Sequence, residues 1–177
     1  EIALTGIGMT KNRVIMVYPF QGFSGTYAKH IPLSLLYSVI DLVKNGYDVQ
    51  LLDTRICKGD WRDELSRLVT DNTLCVGISV MSGSPIKHAV TIGRHVKEIS
   101  KDIPVVWGGP HGTFYPDTIL RDERSCDYVV SGYAIKTFHQ LCEALKACST
   151  PESIPGISWR DSGDIRINGG HDKSFEH

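Results

Sequence analysis

The sequence lacks the features of a membrane or secreted protein and those of a nucleic-acid-binding protein. No apolar run approaches the roughly 18 residues that a membrane-spanning helix needs, and no signal-peptide pattern opens the chain. The chain has 19 Lys and Arg residues and 20 Asp and Glu residues, so its net charge of -1 provides no attraction for nucleic acid or for an acidic membrane surface. We therefore expect a cytoplasmic protein with no nucleic-acid and no membrane partner.

The chain also lacks a cysteine pattern for disulfides or metal ions. Its five cysteines are odd in number and scattered, and they contain no Cys-x-x-Cys pair. Such a pattern is typical of buried thiols in a reducing compartment. We predict neither a disulfide framework nor a metal site. The cysteines concerned are Cys57, Cys75, Cys126, Cys142 and Cys148.

Apolar runs and helical periodicities alternate along the 177 residues, which suffice for one domain with a real core. Short runs rich in β-branched residues predict strands, and segments with apolar residues at helical spacing separate them. The predicted strands are apolar almost throughout, as is typical when helices cover both faces of a sheet. We therefore predict an α/β fold with a doubly wound parallel sheet of five strands, of the flavodoxin-like or Rossmann-like type. The strands are predicted over residues 13–19, 47–53, 74–80, 103–109 and 126–132.

The end of the chain has a different pattern. Residues 154–169, IPGISWRDSGDIRING, alternate apolar and polar residues on both sides of Asp-Ser-Gly. This pattern predicts a C-terminal β-hairpin, which would add an antiparallel edge to the sheet. The residues beyond it show no periodicity, and we expect the natural protein to continue past His177.

Four loops rich in Gly, Ser and Pro follow predicted strands at their carboxyl ends. The connections at the opposite edge, KNGYD and SKDIP, are plain by comparison. In an open parallel sheet the ligand crevice lies outside the carboxyl ends of the strands. We therefore predict a ligand site at this edge. The four loops contain the sequences YPFQGFSGTYAKH, SVMSGSP, GGPHGTFYP and SGYAIK.

The glycine pair Gly108-Gly109 ends the fourth predicted strand and has two explanations. A tight turn at this point needs a positive φ, which glycine adopts without strain. A ligand that approaches the backbone closely also needs residues without a side chain. Taken alone, the pair favours the turn, and its position at the predicted ligand edge adds the second explanation.

Common nucleotide and phosphate motifs are absent from this edge. The loop after the first strand has no Gly-x-Gly-x-x-Gly for a dinucleotide, and the chain has no Gly-Lys-Ser/Thr of a phosphate-binding loop. Ser79 stands where a receiver domain has its aspartate. Flavin mononucleotide remains an alternative, because Ser24, Gly25 and Thr26 could surround a phosphate with backbone N–H groups.

Four segments follow one another in an order and spacing that resemble a known family. They are IPLSLLYSVIDLVKNGYDVQLLD, VGISVMSGSPIKHAVTIGRHVKEI, VVWGGPHGTFYPDTIL and DYVVSGYAIKTFHQLCEAL. The set resembles the cobalamin-binding domain found at the front of many radical S-adenosylmethionine (radical SAM) enzymes. The resemblance covers residues 12–168 and includes the predicted hairpin.

The resemblance implies cobalamin as the cofactor and a methyltransferase as the parent enzyme. The boundaries that we expect are an N-terminal extension or added residues over 1–11, a cobalamin-binding domain over 12–150, a hairpin extension over 151–170 and a linker over 171–177. The chain contains no Cys-x-x-x-Cys-x-x-Cys for an iron–sulfur cluster. The 4Fe-4S cluster, S-adenosylmethionine and catalysis would therefore belong to a radical SAM domain of the same polypeptide, and we predict no catalytic residue in this chain.

The resemblance also implies a set of cofactor-binding residues at the carboxyl edge. A corrin is a wide, flat ring with amide arms, so its protein face needs small residues for close approach and hydroxyl or backbone groups for the amides. His111 would donate to a corrin amide or to the nucleotide tail, with a solvent-facing turn histidine as the alternative. The set is Pro19, Phe20, Ser79, Met81, Ser82, Gly83, Gly108, Gly109, Pro110, His111, Gly132 and Tyr133.

A missing motif determines the expected binding mode. Cobalamin mutases and methionine synthase-like proteins carry Asp-x-His-x-x-Gly, whose histidine replaces the nucleotide base below cobalt. This chain contains no such motif, and His30 lacks the flanking aspartate and glycine. The expected form is therefore base-off cobalamin without a histidine lower ligand, with Phe20, Phe23 or Tyr27 as candidates to cover the lower face.

One segment departs from the family pattern. The family usually has Gly-Glu-Gly-Glu where this chain has GYAIK, residues 132–136. Two alternatives to a cobalamin-binding module therefore remain. One is a degenerate domain that binds no cofactor and acts as a structural or docking unit, and the other is a stand-alone flavodoxin-like binder of flavin mononucleotide.

Overall fold

The computed structural model describes residues 11–22 and 31–170. Several sequence predictions fall outside these residues, namely most of the N-terminal extension, the flavin phosphate loop at 24–26, the aromatic residues Phe23 and Tyr27, His30, and the linker over 171–177. Within the described residues, no helix has both the length and the apolar character needed to cross a membrane.

The described residues form a seven-stranded sheet in the order β2-β1-β3-β4-β5-β6-β7. Strands β1 to β5 run parallel, whereas β6 pairs antiparallel with β5 and with β7. The strands are β1 Arg13–Tyr18, β2 Asp48–Asp53, β3 Thr73–Ser79, β4 Val105–Gly108, β5 Tyr128–Val130, β6 Ile157–Asp161 and β7 Asp164–Ile167.

Seven helices in the described residues cover the two faces of this sheet. Alternate residues of β1 point to opposite faces, so that Val14 and Met16 join one core cluster while Ile15 and Val17 join the other. Helices α1, α2 and α7 pack on the first cluster, and α3, α4 and α6 pack on the second. The helices are α1 Leu33–Ser38, α2 Ile40–Lys44, α3 Trp61–Leu68, α4 Ser84–Ile99, α5 Gly109–Phe114, α6 Pro116–Asp122 and α7 Ile135–Lys146.

The mostly parallel sheet between helical layers confirms the predicted α/β fold. The sheet is wider than the five strands predicted, because Ile157 of β6 pairs with Val130 of β5 and β7 then continues the sheet. Asp60 precedes a segment with apolar residues at helical spacing and so predicts a helix cap; the structure confirms it, since the Asp60 carboxylate accepts a hydrogen bond from the Arg62 N–H at 2.9 Å at the start of α3.

Two local predictions need correction. Leu36, Val39, Ile40 and Val43 recur at helical spacing and predict one helix, whereas the structure has two short helices that meet at Val39. The predicted turn at 108–111 is already helical from Gly109, so that α5 directly follows β4. Pro110 suits the first turn of α5. Proline has no backbone N–H group, and the N–H groups of the first turn have no partner within the helix, so no hydrogen bond is lost.

Candidate cofactor-binding site

The sheet order creates a crevice at the carboxyl ends of its central strands. From β1 the chain crosses to β2 through α1 and α2 on one face, and it returns to β3 through α3 on the other face. This reversal beside β1 is the topological switch point at which open α/β sheets bind ligands. The predicted ligand edge is therefore the edge at which the fold leaves space.

A cavity of about 330 Å³ lies at this edge between α1, α7 and the sheet. Met16, Val106 and Val130 form its floor on the sheet, and Phe138 of α7 and Leu35 of α1 form its sides. Its size falls at the lower end of the range for small-molecule sites. Carbon atoms form most of its surface, so it suits an apolar group of a ligand.

Gly77 lies in the middle of β3 on the floor of this cavity. A Cβ atom at this position would lie 2.5 Å from the Sδ atom of Met16 and 3.4 Å from the ring of Phe138. A side chain at this position would therefore displace the end of the Met16 side chain, which occupies the space beside Gly77. A glycine inside a predicted strand is a sequence signal for such close packing.

The structure shows different reasons why the two positions at the end of β4 are occupied by glycine. Gly109 has a φ of +85°, and its Cβ would lie 3.0 Å from the carbonyl oxygen of Val80, so the backbone itself requires glycine. Gly108 has a φ of -140°, and its Cβ would meet nothing closer than 3.8 Å. The fold therefore explains Gly109, whereas Gly108 is a glycine at the cavity that the fold does not require.

Five predicted site residues come together around this cavity. They lie at the ends of three neighbouring parallel strands, and Ser79 of β3 pairs directly with Gly108 of β4. Gly132 begins the segment that leads to α7 with a positive φ of 75°. The five are Ser79, Gly108, Gly109, Gly132 and Tyr133.

A second group of predicted residues lies on the opposite side of the β3 and β4 ends. The Ser82 hydroxyl lies 3.1 Å from His111 Nδ1, and the His111 ring centroid lies 5.2 Å from that of Tyr115. Burial lowers the pKa of His111, which favours the neutral imidazole with one donor and one acceptor. Met81, Gly83 and Pro110 complete this group, and all three are exposed.

The remaining predicted residues, Pro19 and Phe20, follow β1. Neither of them lines the cavity. The Phe20 N–H donates to His88 Nδ1 at 2.7 Å, and the Phe20 side chain is 42% exposed. The predicted set therefore forms three adjoining groups along one edge of the sheet, and the cavity belongs to one of them.

Sequence reasoning missed the residues that form the apolar body of the cavity. Met16 and Phe138 read as ordinary core residues, because their periodicity matches that of a buried strand and a buried helix face. Tyr37 of α1 also lines the cavity while remaining 52% exposed. Such an exposed aromatic residue beside a predicted ligand edge is the signal that could have identified α1 as a wall of the site.

The mouth of the cavity lies in an exposed apolar region. Tyr37 and Tyr133 both line the cavity, and they are 52% and 64% exposed. The described residues contain no cluster of three His, Cys, Asp or Glu side chains that could hold a metal ion. Further large apolar side chains that are at least two-fifths exposed lie in α1, just before it, and in the segments that follow β1, β3 and β4, namely Ile31, Leu33, Phe20, Met81, Phe114 and Tyr115.

Comparison with protein families identifies the class of this domain. The B12 binding domain family matches residues 26–142, which is more than half of the chain. The chain therefore belongs to the B12 binding domain family. This result confirms the family recognised in the sequence and, at the level of the family, cobalamin as its cofactor.

Individual relatives agree with this assignment. An uncharacterized methyltransferase of Pyrococcus horikoshii is 30% identical over 135 residues, which are 76% of this chain and 29% of the relative. The radical S-adenosylmethionine methyltransferase TsrM from Kitasatospora setae, solved with cobalamin and a 4Fe-4S cluster, superposes on 90% of this chain with a TM-score of 0.72 and 21% identity. The cobalamin-dependent radical enzyme OxsB superposes on 93% of this chain with a TM-score of 0.69 and 18% identity.

The chain is short beside these proteins. It spans 29% of the curated methyltransferase, 29% of the TsrM chain and 23% of the OxsB chain. At 21% and 18% identity, the two solved structures establish a common fold.

Proposed function

We propose that this chain holds cobalamin at the carboxyl edge of its sheet, with the nucleotide tail in the cavity and the corrin ring across the mouth. The observation that carries the proposal is the apolar cavity of about 330 Å³ at the switch point. A corrin ring is too wide and too rich in amide arms for such a space, whereas a benzimidazole base is flat and largely apolar. The tail is therefore the part of the cofactor that suits the cavity.

Gly108 and Ser79 support this arrangement. Gly108 lines the cavity with no side chain, although its backbone would accept one, so it leaves room for a ligand. Ser79 pairs with it in the sheet and provides a hydroxyl at the edge of an otherwise apolar space. A hydroxyl can donate to or accept from a polar group of the tail.

The binding mode we propose is base-off without a histidine lower ligand. No described histidine lines the cavity, and the chain contains no Asp-x-His-x-x-Gly. Electron paramagnetic resonance of the cob(II)alamin form should therefore show no nitrogen superhyperfine splitting from a lower ligand. Splitting that disappears in His30→Ala would contradict this mode.

The GYAIK segment is compatible with a working site. Tyr133, Ala134 and Ile135 all line the cavity, so this segment contributes apolar surface where the family pattern has carboxylates. We therefore favour a binding domain over a degenerate docking unit. The loop proposed for a flavin phosphate lies outside the described residues, so flavin is compared with cobalamin by experiment.

We further propose that the chain is one module of a cobalamin-dependent radical SAM methyltransferase, with the boundaries given above. Bound methylcobalamin supplies a methyl group, and the exposed apolar region at the mouth would be covered by a radical SAM domain that excludes water from this group. The natural coding region should continue beyond His177 and encode Cys-x-x-x-Cys-x-x-Cys. A stop codon shortly after His177 would favour the stand-alone binder.

A binding experiment with three ligands tests the proposal. Hydroxocobalamin should bind the chain and change its visible spectrum, cobinamide, which lacks the nucleotide tail, should bind at least tenfold more weakly, and flavin mononucleotide should not bind. Equal affinity for cobalamin and cobinamide would exclude the tail from the cavity. Retention of flavin alone would establish the flavodoxin-like alternative.

A matched pair of variants locates the site. Gly108→Val places branched carbons at the cavity and should weaken hydroxocobalamin binding by at least tenfold while circular dichroism remains unchanged. Gly59→Val is the control, because a Cβ atom there meets nothing within 4 Å in an exposed loop away from the cavity. Unchanged binding by Gly108→Val would contradict the proposed position of the tail.

A further inference from the structure

His88 of α4 contacts the chain segment that leaves β1, although no sequence motif drew attention to this residue. The Phe20 backbone N–H donates to His88 Nδ1 at 2.7 Å. We name residues 19–22 the first loop. It begins directly after β1, and it contains Pro19 and Phe20, which are two of the predicted cofactor-binding residues.

Aromatic contacts fix the orientation of the His88 imidazole. Its ring lies 5.2 Å from the Trp61 ring and 6.5 Å from the Phe20 ring, in both cases with the planes nearly perpendicular. Such edge-to-face arrangements stabilise aromatic pairs. The imidazole is thus packed between α3 and the first loop with its Nδ1 atom facing the Phe20 N–H.

A second contact joins the first loop to the same helix. Gly22 has a φ of +85°, and a Cβ atom there would lie 2.4 Å from the Cβ of Ser84, so the loop backbone lies directly against the start of α4. Ser84 and His88 are four residues apart and therefore lie on one side of the helix. The helix supports the first loop at two points one turn apart.

We propose that His88 is a positioning residue for the cofactor: its neutral imidazole accepts the Phe20 N–H and fixes the first loop at the carboxyl edge of the sheet, directly after β1. The inference rests on the proposed function, because Phe20 can contribute to a cofactor site only if cobalamin binds at this edge. His88 itself does not line the cavity. It acts through the backbone of Phe20.

The hydrogen bond requires an unprotonated Nδ1 atom. Burial lowers the pKa of His88, and the positive charge of Arg62 on α3 lowers it further. Arg62 lies over the Trp61 ring at 4.6 Å and 3.6 Å from Asp60, while residues 19–22 of the first loop carry no charge. The acceptor is thus present at neutral pH and is lost as the pH falls through the lowered pKa, below the ordinary value of 6.5.

Three variants test this role. His88→Ala removes the acceptor, whereas His88→Asn retains an amide oxygen at nearly the same distance from the backbone and cannot titrate. His95→Ala is the control, because His95 lies on the same helix and contacts the same Trp61 ring at 5.7 Å but hydrogen-bonds to Ser66, the Arg62 carbonyl and Glu98.

Two measurements separate the hydrogen bond from its effect on the cofactor. Hydrogen exchange of the Phe20 amide in the cofactor-free chain should be several-fold faster in His88→Ala than in the wild type. The Kd for hydroxocobalamin at pH 7.5 should rise about three- to tenfold in His88→Ala, as expected for one lost hydrogen bond. His88→Asn and His95→Ala should match the wild type in both measurements. As the pH falls from 7.5 to below the ordinary histidine pKa of 6.5, the wild-type Kd should rise more steeply than that of His88→Asn, which keeps every other titrating group, His111 included.

The outcomes distinguish this inference from the proposed function. A wild-type chain that binds no hydroxocobalamin contradicts the proposed function and removes this inference with it. A wild-type chain that binds, together with an unchanged Kd in His88→Ala, overturns the positioning role alone. Failure of His88→Asn to restore the Kd would likewise overturn it, because the imidazole would then act as something other than a hydrogen-bond acceptor.

Discussion

The two edges of the parallel sheet are built from different chemistry. At the amino edge, Arg13 pairs with Asp48 at 2.6 Å where β1 and β2 begin, and Lys97 pairs with Asp127 at 2.7 Å beside β4 and β5. Arg160 of β6 adds hydrogen bonds to the Cys126 carbonyl at 2.6 Å. The charged side chains named here are thus paired with groups of the same edge.

The carboxyl edge has glycines, a cavity and exposed aromatic side chains instead. Gly108 leaves space at the cavity, and Tyr37 and Tyr133 are more than half exposed at its mouth. Covering apolar surface of this kind with a ligand or a second domain is favourable, because it removes that surface from water. The comparison indicates that the polar pairs of the amino edge stabilise the fold, whereas the carboxyl edge has the space and the exposed apolar surface that the proposed cofactor site needs.

The largest effect on stability is expected at Gly109, which the fold requires, in contrast to the neighbouring Gly108, which lines the cavity. Gly109→Ala should reduce the free energy of unfolding by about 1–3 kcal/mol, because alanine is strained at φ +85° and its Cβ would crowd the Val80 backbone. Gly108→Ala, in ordinary backbone geometry, should leave it unchanged or raise it by up to about 1 kcal/mol. Urea denaturation measures both values. Equal losses would mean that the fold requires both glycines.

A smaller effect is expected at the amino edge. Asp127→Ala removes the carboxylate that accepts from the Val105 N–H at 2.7 Å and from Lys97, and it should reduce the free energy of unfolding by about 1–2 kcal/mol. Lys97→Met keeps the hydrogen bond from the Val105 N–H to Asp127, and it measures the loss of the ion pair together with the Lys97 Nζ hydrogen bonds to the Lys101 and Ile103 carbonyls. Neither change should alter the Kd for hydroxocobalamin by more than about twofold, since distant sites act independently. A tenfold change in either variant would show that the two edges are coupled.

The smallest effect concerns acid stability at the same edge. Hydrogen bonds from Arg13 and Gln50 lower the pKa of Asp48 below its ordinary value of 3.8. A carboxylate with a lowered pKa stabilises the folded state above the ordinary pKa, and this contribution is lost as the pH falls through the lowered value. Asp48→Asn should therefore lose less stability between pH 7 and pH 3 than the wild type. Parallel Tm curves for the two proteins would exclude a contribution from this pair.

The sheet and the edge with the cavity could be predicted from the sequence because the patterns that indicate them are local. Apolar β-branched runs identify buried parallel strands, and Gly, Ser and Pro in the following loops identify the ligand edge. The same signals could not separate Gly108 from Gly109. A positive φ and a close approach to Val80 depend on how β4 packs beside β3, and two adjacent glycines look alike in a sequence.

The cavity itself was beyond sequence reasoning for a related reason. Met16 and Phe138 have the periodicity of core residues, and whether such residues fill a core or line a space depends on the distance between α1 and α7. No sequence pattern identified His88 either, because its hydrogen-bond partner is the Phe20 backbone N–H, which lies far away in the chain. Long-range backbone contacts leave no motif.

The sequence by itself determined the α/β class, the order of the parallel strands, the edge at which the cavity lies and the family to which the domain belongs, because each follows from local patterns and their spacing. Only the tertiary structure decided which predicted site residues meet at one cavity and which lie beside it. It also decided why Gly109 must be glycine while Gly108 is free to serve a ligand. The physical reason is that cavities, close approaches and hydrogen bonds to the backbone are distances between segments, and these distances exist only after the helices have packed on the sheet.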